Sequence, residues 1–114
     1  RDRASDIKTV VNERGDVLYF SRADIPSDAR TPNPERLKAY HVVSFRRPFL
    51  FEYASWNRTR LEVVEYNEYL RVLEKGHRIR AVQVDGDAVS VDTIEDLVFV
   101  RSEMERDPLY RTYQ

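Results

Sequence analysis

The run from Thr59 to Gly76, TRLEVVEYNEYLRVLEKG, constrains this chain more than any other stretch, because it carries signals for both ends of a helix. Thr59 and Glu62 have the spacing of a capping box. In that motif the Thr59 hydroxyl accepts from the Glu62 amide, and the Glu62 carboxylate accepts from the Thr59 amide. At the far end Gly76 follows Lys75, and glycine takes the left-handed C′ conformation without a Cβ penalty. Leu61, Val64, Leu70 and Leu73 recur at helical spacing in between, which predicts one helix from Thr59 to Lys75 with a buried face. Such a helix needs a second layer to cover its apolar stripe.

Strand-like runs elsewhere supply that layer. IKTVVN and VLYFS flank Glu13-Arg14-Gly15-Asp16 and read as a hairpin, with Gly15 at the turn position that disfavours a Cβ. Val17 to Phe20 is apolar without alternation, the pattern of a strand covered on both faces. Three prolines and small polar residues from Ala23 to Glu35 read as a surface loop, the stretch expected to be most flexible. YHVVSF reads as a third strand. RPFLFEYASW reads as a short helix or turn, with Phe49, Leu50, Phe51, Tyr53 and Trp56 contributing to the core. RIRAVQV alternates as a strand does, AVSV is a short strand or extended link, and a last helix is expected from Thr93 to about Met104. Residues 105–114 form a tail with aromatic residues but no period, either disordered or docked on a partner surface. Alternating strands and helices indicate an α/β class.

Bulk properties narrow the function classes. The chain has 114 residues, one domain's worth, with a net charge of −1 and both signs interspersed. That balance offers no field for a nucleic-acid backbone or a membrane surface. Absence of cysteine excludes disulfides and thiolate zinc sites, and two histidines leave little for a histidine-based metal centre. No apolar run approaches the roughly 18 residues of a membrane span, and RDRASD is not a signal peptide, so a cytoplasmic protein is expected. The chain begins without methionine, directly before a strand-like run, as a segment of a longer polypeptide would.

A few polar residues stand out. In SVDTIEDL, either Thr93 is the N-cap, with Asp96 completing the box, or Asp92 is, with Glu95 completing it. The first choice leaves Asp92 without a capping duty. A lone carboxylate is not by itself a metal site, since hard cations take several oxygens. Arg22 follows an apolar strand and precedes the proline-bearing loop. It reads as a fork for a carboxylate or phosphate, or as one half of an ion pair with Asp24 or Asp28. Glu65 and Glu68 share a helix face, the ordinary pattern of a solvated acidic surface. His41 lies within an apolar run, where a hydrogen-bonded core histidine is the commoner outcome. No nucleophile with a neighbouring base is visible, and there is no phosphate loop of the GxxxxGK[ST] kind.

VLYFSRADIPSD, TRLEVVEYNEYLRVLEKG and SVDTIEDLVFVRSEM resemble, in this order, the C-terminal half of sugar-acid cytidylyltransferases. The nearest type is 3-deoxy-manno-octulosonate (Kdo) cytidylyltransferase, and the likeness runs from about Ile7 to Met104. It implies a Rossmann-like nucleotidyltransferase fold, of which this chain is the C-terminal half, with a mixed sheet and flanking helices. It implies attack by the anomeric hydroxyl of an acidic sugar on the α-phosphorus of CTP, giving a CMP-sugar and pyrophosphate for lipopolysaccharide or capsule synthesis. Mg²⁺ is the implied cofactor, a homodimer the implied assembly, and the CTP-binding N-terminal half a required partner, without which this chain is expected to be inactive.

Carried over by motif, Asp92 is a magnesium ligand, Arg22 contacts the sugar acid, and Glu68 lies near the sugar. The family usually has Thr-Pro where this chain has Thr93-Ile94, which supports Thr93 as the cap. Tyr69 replaces a glutamine of the family motif. Ala39 and Val43 stand where a strand histidine and tyrosine face the sugar, with His41 two residues along as a possible substitute. A second arginine expected near Ala29 has only Arg30 as a neighbour. The substrate-binding set is therefore Arg22, His41, Glu68 and Tyr69, with a different acidic acceptor left open. A non-catalytic dimerisation or regulatory module of the same fold is the rival expectation.

Overall fold

The structure is a computed structural model that describes residues 6–40, 42–86 and 89–113. The chain forms two compact units, Arg1–Gln83 and Val84–Gln114.

The first unit is built on the predicted hairpin. Strands β1 (Lys8–Val11) and β2 (Val17–Ser21) pair antiparallel, with Lys8 opposite Ser21 and Val10 opposite Tyr19, and the register shifts between Val10 and Val11. Asn12 organises the turn: its side-chain oxygen accepts from the amides of Arg14 (2.9 Å) and Asp16 (3.0 Å). Gly15 sits at φ +82°, as the turn requires. The third strand, β3, is Leu37–Lys38 and not YHVVSF; it pairs antiparallel with the other edge of β1, giving the order β2-β1-β3. The Ala39 amide continues that pairing onto the Ile7 carbonyl at 2.8 Å, so the edge of β1 is taken up by residues just before the apolar run. Val42, within the expected strand, is 88% exposed.

Two further expectations about the sheet are corrected. Among the described residues it is antiparallel throughout, not mixed, because its strands are joined by a tight hairpin and a loop and not by crossover helices. Strand β2 is an edge, and its Leu18 is 56% exposed, so it is not covered on both faces. RIRAVQV contributes a single antiparallel bridge, Asp16 with Arg80, flanked by hydrogen bonds from Val17 to the Ile79 carbonyl and from Ala81 to the Gly15 carbonyl, each 2.8 Å.

RPFLFEYASW does form a helix, α1 (Arg47–Ser55), with Pro48 in its first turn. It adds no fully buried residue, and Leu50 and Phe51 face outward, against the expectation that they join the core. Phe45, Phe49, Tyr53 and Trp56 instead form a half-buried aromatic cluster with His77. In it Trp56 stacks on the imidazole and Phe49 meets it edge-on.

The expected long helix is two short ones, α2 (Arg60–Glu65) and α3 (Leu70–Glu74), separated by Tyr66 in the left-handed region (φ +53°, ψ +50°). Both outer signals hold. Thr59 is the N-cap, and Gly76, at φ +80°, closes α3 with the two hydrogen bonds of a Schellman motif, His77 to Val72 and Gly76 to Leu73. Of the box itself, the Glu62 carboxylate accepts from the Thr59 amide at 3.1 Å, whereas the buried Thr59 hydroxyl has no hydrogen-bond partner among the described residues. The break turns Val64 outward while Leu70 is wholly buried, so the predicted stripe does not share one face. Leu70 joins Ile7, Val17 and Phe20 in the core, with Leu61, Leu73 and Ile79 packed around them.

The second unit holds α4 (Ile94–Arg106), close to the expected span. After Pro108 a 3₁₀ turn covers Tyr110–Tyr113. Ser90 and Val91 form no strand, and Ala88 of the AVSV link lies outside the described residues.

Candidate functional site

Arg22 stands where β2 ends and the chain enters its loop. Its guanidinium is held at the C-terminus of α2: Nε donates to the Glu65 carbonyl (3.1 Å) and an Nη to the Tyr66 carbonyl (3.3 Å). These are carbonyls that a helix end leaves without partners. The Arg22 amide donates to the Glu65 carboxylate (3.1 Å), and the Arg22 carbonyl accepts from Lys8 Nζ at 2.6 Å. Of the acids weighed as partners of Arg22, Asp24 faces Lys8 (3.3 Å) and Asp28 faces Arg36 (3.7 Å).

The break after α2 is therefore a consequence of β2. Glu65 bonds the Tyr19 hydroxyl (3.1 Å), the Ser21 hydroxyl (2.9 Å) and the Arg22 amide, while the Arg22 side chain takes the helix-end carbonyls. Asn67, buried, donates its backbone amide to the Glu62 carbonyl, and its side-chain oxygen accepts from the Tyr69 amide (3.0 Å), which starts α3. Glu65 is thus a buttress and not a solvated surface acid. Sequence reasoning missed it; the available signal was EYNEY, a polar interruption of the leucine pattern with an asparagine that tolerates turns.

Glu68 and Tyr69 follow the break. The Glu68 side chain is exposed, and its carbonyl accepts from the Tyr53 hydroxyl at 3.1 Å. Tyr69 packs its ring against Phe20 (6.2 Å between centroids), and burial, with the nearby Glu68 charge second, pushes its phenol above the ordinary value. At neutral pH it is a neutral hydroxyl. Arg22 and Tyr69 are thus fixed through the same α2–α3 break. His41 lies outside the described residues.

A second polar centre was also missed. Arg71 forks onto the Glu62 carboxylate through Nε (2.8 Å) and an Nη (2.5 Å), and its guanidinium lies over the Tyr53 ring. The Arg71 fork holds the Glu62 carboxyl below the ordinary carboxylate value, against the effect of burial. Beyond its capping bond, Glu62 ties α2 to α3.

Asp92 belongs to the second unit. Thr93 is the N-cap of α4: its hydroxyl accepts from the Asp96 amide at 3.1 Å, and the Asp96 carboxylate accepts from the Thr93 amide at 3.1 Å and the Asp92 amide at 3.2 Å. The Asp92 side chain is exposed and has no capping role. It offers one hard oxygen donor to a cation such as Mg²⁺. No group of three or more potential metal-binding side chains occurs among the described residues, so further ligands would come from water, substrate or residues elsewhere. Among the described residues no helix is long and apolar enough to cross a membrane.

A small antiparallel sheet, an arginine anchored at a strand end and several helices define an α/β protein. The chain belongs to the cytidylyltransferase family, whose model matches residues 2–79. It is 40% identical over 99 residues to a 3-deoxy-manno-octulosonate cytidylyltransferase of Synechococcus elongatus, covering 84% of this chain and 40% of that protein. Against the protein of the same description from Anaeromyxobacter sp. identity is 39% over 109 residues, covering 94% of this chain and 44% of the relative. A solved structure of CMP:2-keto-3-deoxy-manno-octonic acid synthetase complexed with CTP superimposes with a TM-score of 0.81 at 35% identity, covering 91% of this chain and 43% of the other. The chain thus spans about two fifths of the length of these relatives.

Proposed function

We propose that this chain supplies the acceptor side of a cytidylyltransferase that couples an acidic sugar of the 3-deoxy-manno-octulosonate type to CTP. The likeness to a synthetase complexed with CTP, over 91% of this chain, carries the reading. In the reaction the anomeric hydroxyl loses its proton to solvent as its oxygen bonds to the α-phosphorus, the bond to the β-phosphate oxygen breaks, and pyrophosphate leaves. Little of this asks for covalent help from the protein, so positioning and charge do most of the work. Arg22 is the group for the acceptor carboxylate, Glu68 for sugar hydroxyls, and the Tyr69 phenol for one further hydrogen bond. His41 keeps its proposed place in this set. Asp92 would give one carboxylate oxygen to Mg²⁺, which when bound offsets triphosphate charge.

CTP binding is assigned to the portion of the relatives' length that this chain does not span, so turnover requires both parts. A homodimer in the cytoplasm and a Rossmann-like nucleotidyltransferase fold for the whole enzyme go with the same reading. The test is pyrophosphate release from CTP and 3-deoxy-manno-octulosonate by the assembled enzyme carrying Asp92→Asn. A fall of roughly a hundredfold or more, partly recovered at high Mg²⁺, is expected; near-wild-type release would overturn the metal role. A second reading, a related acidic acceptor, is favoured by Tyr69, which presents a phenol where the family motif has an amide. Faster turnover of another sugar acid would select it, and no turnover with any of them would leave a non-catalytic module.

A further inference from the structure

Glu65 breaks a local rule where it stands. It is the last residue of α2, and a negative charge at a helix C-terminus opposes the helix dipole. The next residue, Tyr66, breaks a second rule with its positive φ. Both departures adjoin Arg22, and local conflicts that the rest of a fold sustains concentrate at functional places. Three donors offset the Glu65 charge: the Tyr19 hydroxyl, the Ser21 hydroxyl and the Arg22 amide. The same peptide segment then presents the Glu65 and Tyr66 carbonyls to the Arg22 guanidinium. Arg22 is thus gripped at its backbone by the Glu65 side chain and at its side chain by the Glu65 backbone.

The geometry assigns Glu65 a positioning role: its carboxylate sets the orientation in which Arg22 meets the carboxylate of an acidic acceptor. This rests on the reading of Arg22 as an acceptor contact, and it makes a prediction of unusual sign. A carboxylate that merely lay nearby would repel an acidic acceptor, and neutralising it would tighten binding. A positioning carboxylate, once neutralised, weakens binding.

The experiment measures KM for 3-deoxy-manno-octulosonate, KM for CTP, and selectivity between the sugar acid and its carboxamide, in the assembled enzyme carrying Glu65→Gln, Glu65→Ala, Arg22→Ala or the double change. Glu65→Gln should raise KM for the sugar acid roughly tenfold, as the loss of one charge-assisted hydrogen bond would, with KM for CTP unchanged. Acid-over-amide selectivity should fall with it, and Glu65→Ala should have no further effect on selectivity in the Arg22→Ala background. Loss of folded enzyme cannot alter a selectivity ratio, so it cannot imitate that result. If Glu65→Gln leaves the acid KM and the selectivity unchanged, or improves them, while Arg22→Ala abolishes selectivity, the positioning role is overturned and the acceptor reading stands. If Arg22→Ala itself leaves selectivity intact, the acceptor reading fails and the positioning role with it.

Discussion

At the residue scale, Tyr66 shows how a neighbour can impose a conformation that a side chain disfavours. The residue is 82% exposed and gains little from packing, yet its backbone is left-handed because Arg22, Glu65 and Asn67 fix the carbonyls and amides around it. An L-residue with a Cβ pays on the order of 1 kcal/mol for that region, a penalty glycine escapes. Tyr66→Gly should therefore stabilise the protein by about 0.5–1 kcal/mol in urea unfolding. Tyr66→Val, β-branched at the same φ, should destabilise it by at least as much. A reversed order would show that the exposed ring contributes packing after all.

At the element scale, α2 and α3 are too short to persist alone and depend on what ties them. The Arg71–Glu62 pair is a principal tie, nearly buried on both sides. Removing the arginine strands a carboxylate, so Arg71→Ala should cost about 3 kcal/mol, while Glu62→Gln with Arg71 intact should cost less. The pH dependence follows from the lowered Glu62 pKa. Its stabilising contribution is fully present above the ordinary value of 4.5 and is lost as pH falls through the depressed folded value. Thermal midpoints recorded from pH 7 down to pH 3 should drop more steeply for the parent protein than for Glu62→Gln. Equal slopes would remove Glu62 as the titrating group.

For the whole molecule, the distribution of apolar burial is uneven. Ile7, Val17, Phe20, Leu70 and Val72 are the buried apolar residues among those described, and all lie in Arg1–Gln83. Helix α4 buries only Asp96, leaving Ile94, Val98 and Phe99 exposed. A helix of its length without a buried apolar face is marginal in water. Hydrogen exchange should therefore be faster in α4 than in β1 and β2 by on the order of tenfold or more. Adding the portion of the relatives' length that this chain does not span should slow it, because binding to the folded state stabilises it by mass action. Exchange in α4 as slow as in the hairpin would contradict this distribution.

Elements whose signals lie within a few residues were legible in the sequence: the hairpin around Gly15 and the glycine end at Gly76, while spacing left Thr93–Asp96 and Asp92–Glu95 open as the box and the fold chose Thr93. Their determinants are short-range hydrogen bonds and backbone sterics, which the chain carries with it. The candidate residues Arg22, Glu68, Tyr69 and Asp92 were named from motifs, but the neighbours that fix them were not. Leu37–Lys38 became a strand because β1 had an edge to fill, and Leu18 stayed exposed because its face of β2 is left open. The Thr59–Gly76 run, with sound signals at both ends, still divided at Tyr66. Periodicity records what a segment can do alone, whereas Arg22 and Glu65, 43 residues apart, decided what it does in the fold. Sequence by itself set the local turns, caps and family; tertiary structure chose the partners, since hydrogen-bonding groups are satisfied by whatever the packed chain brings within about 3 Å.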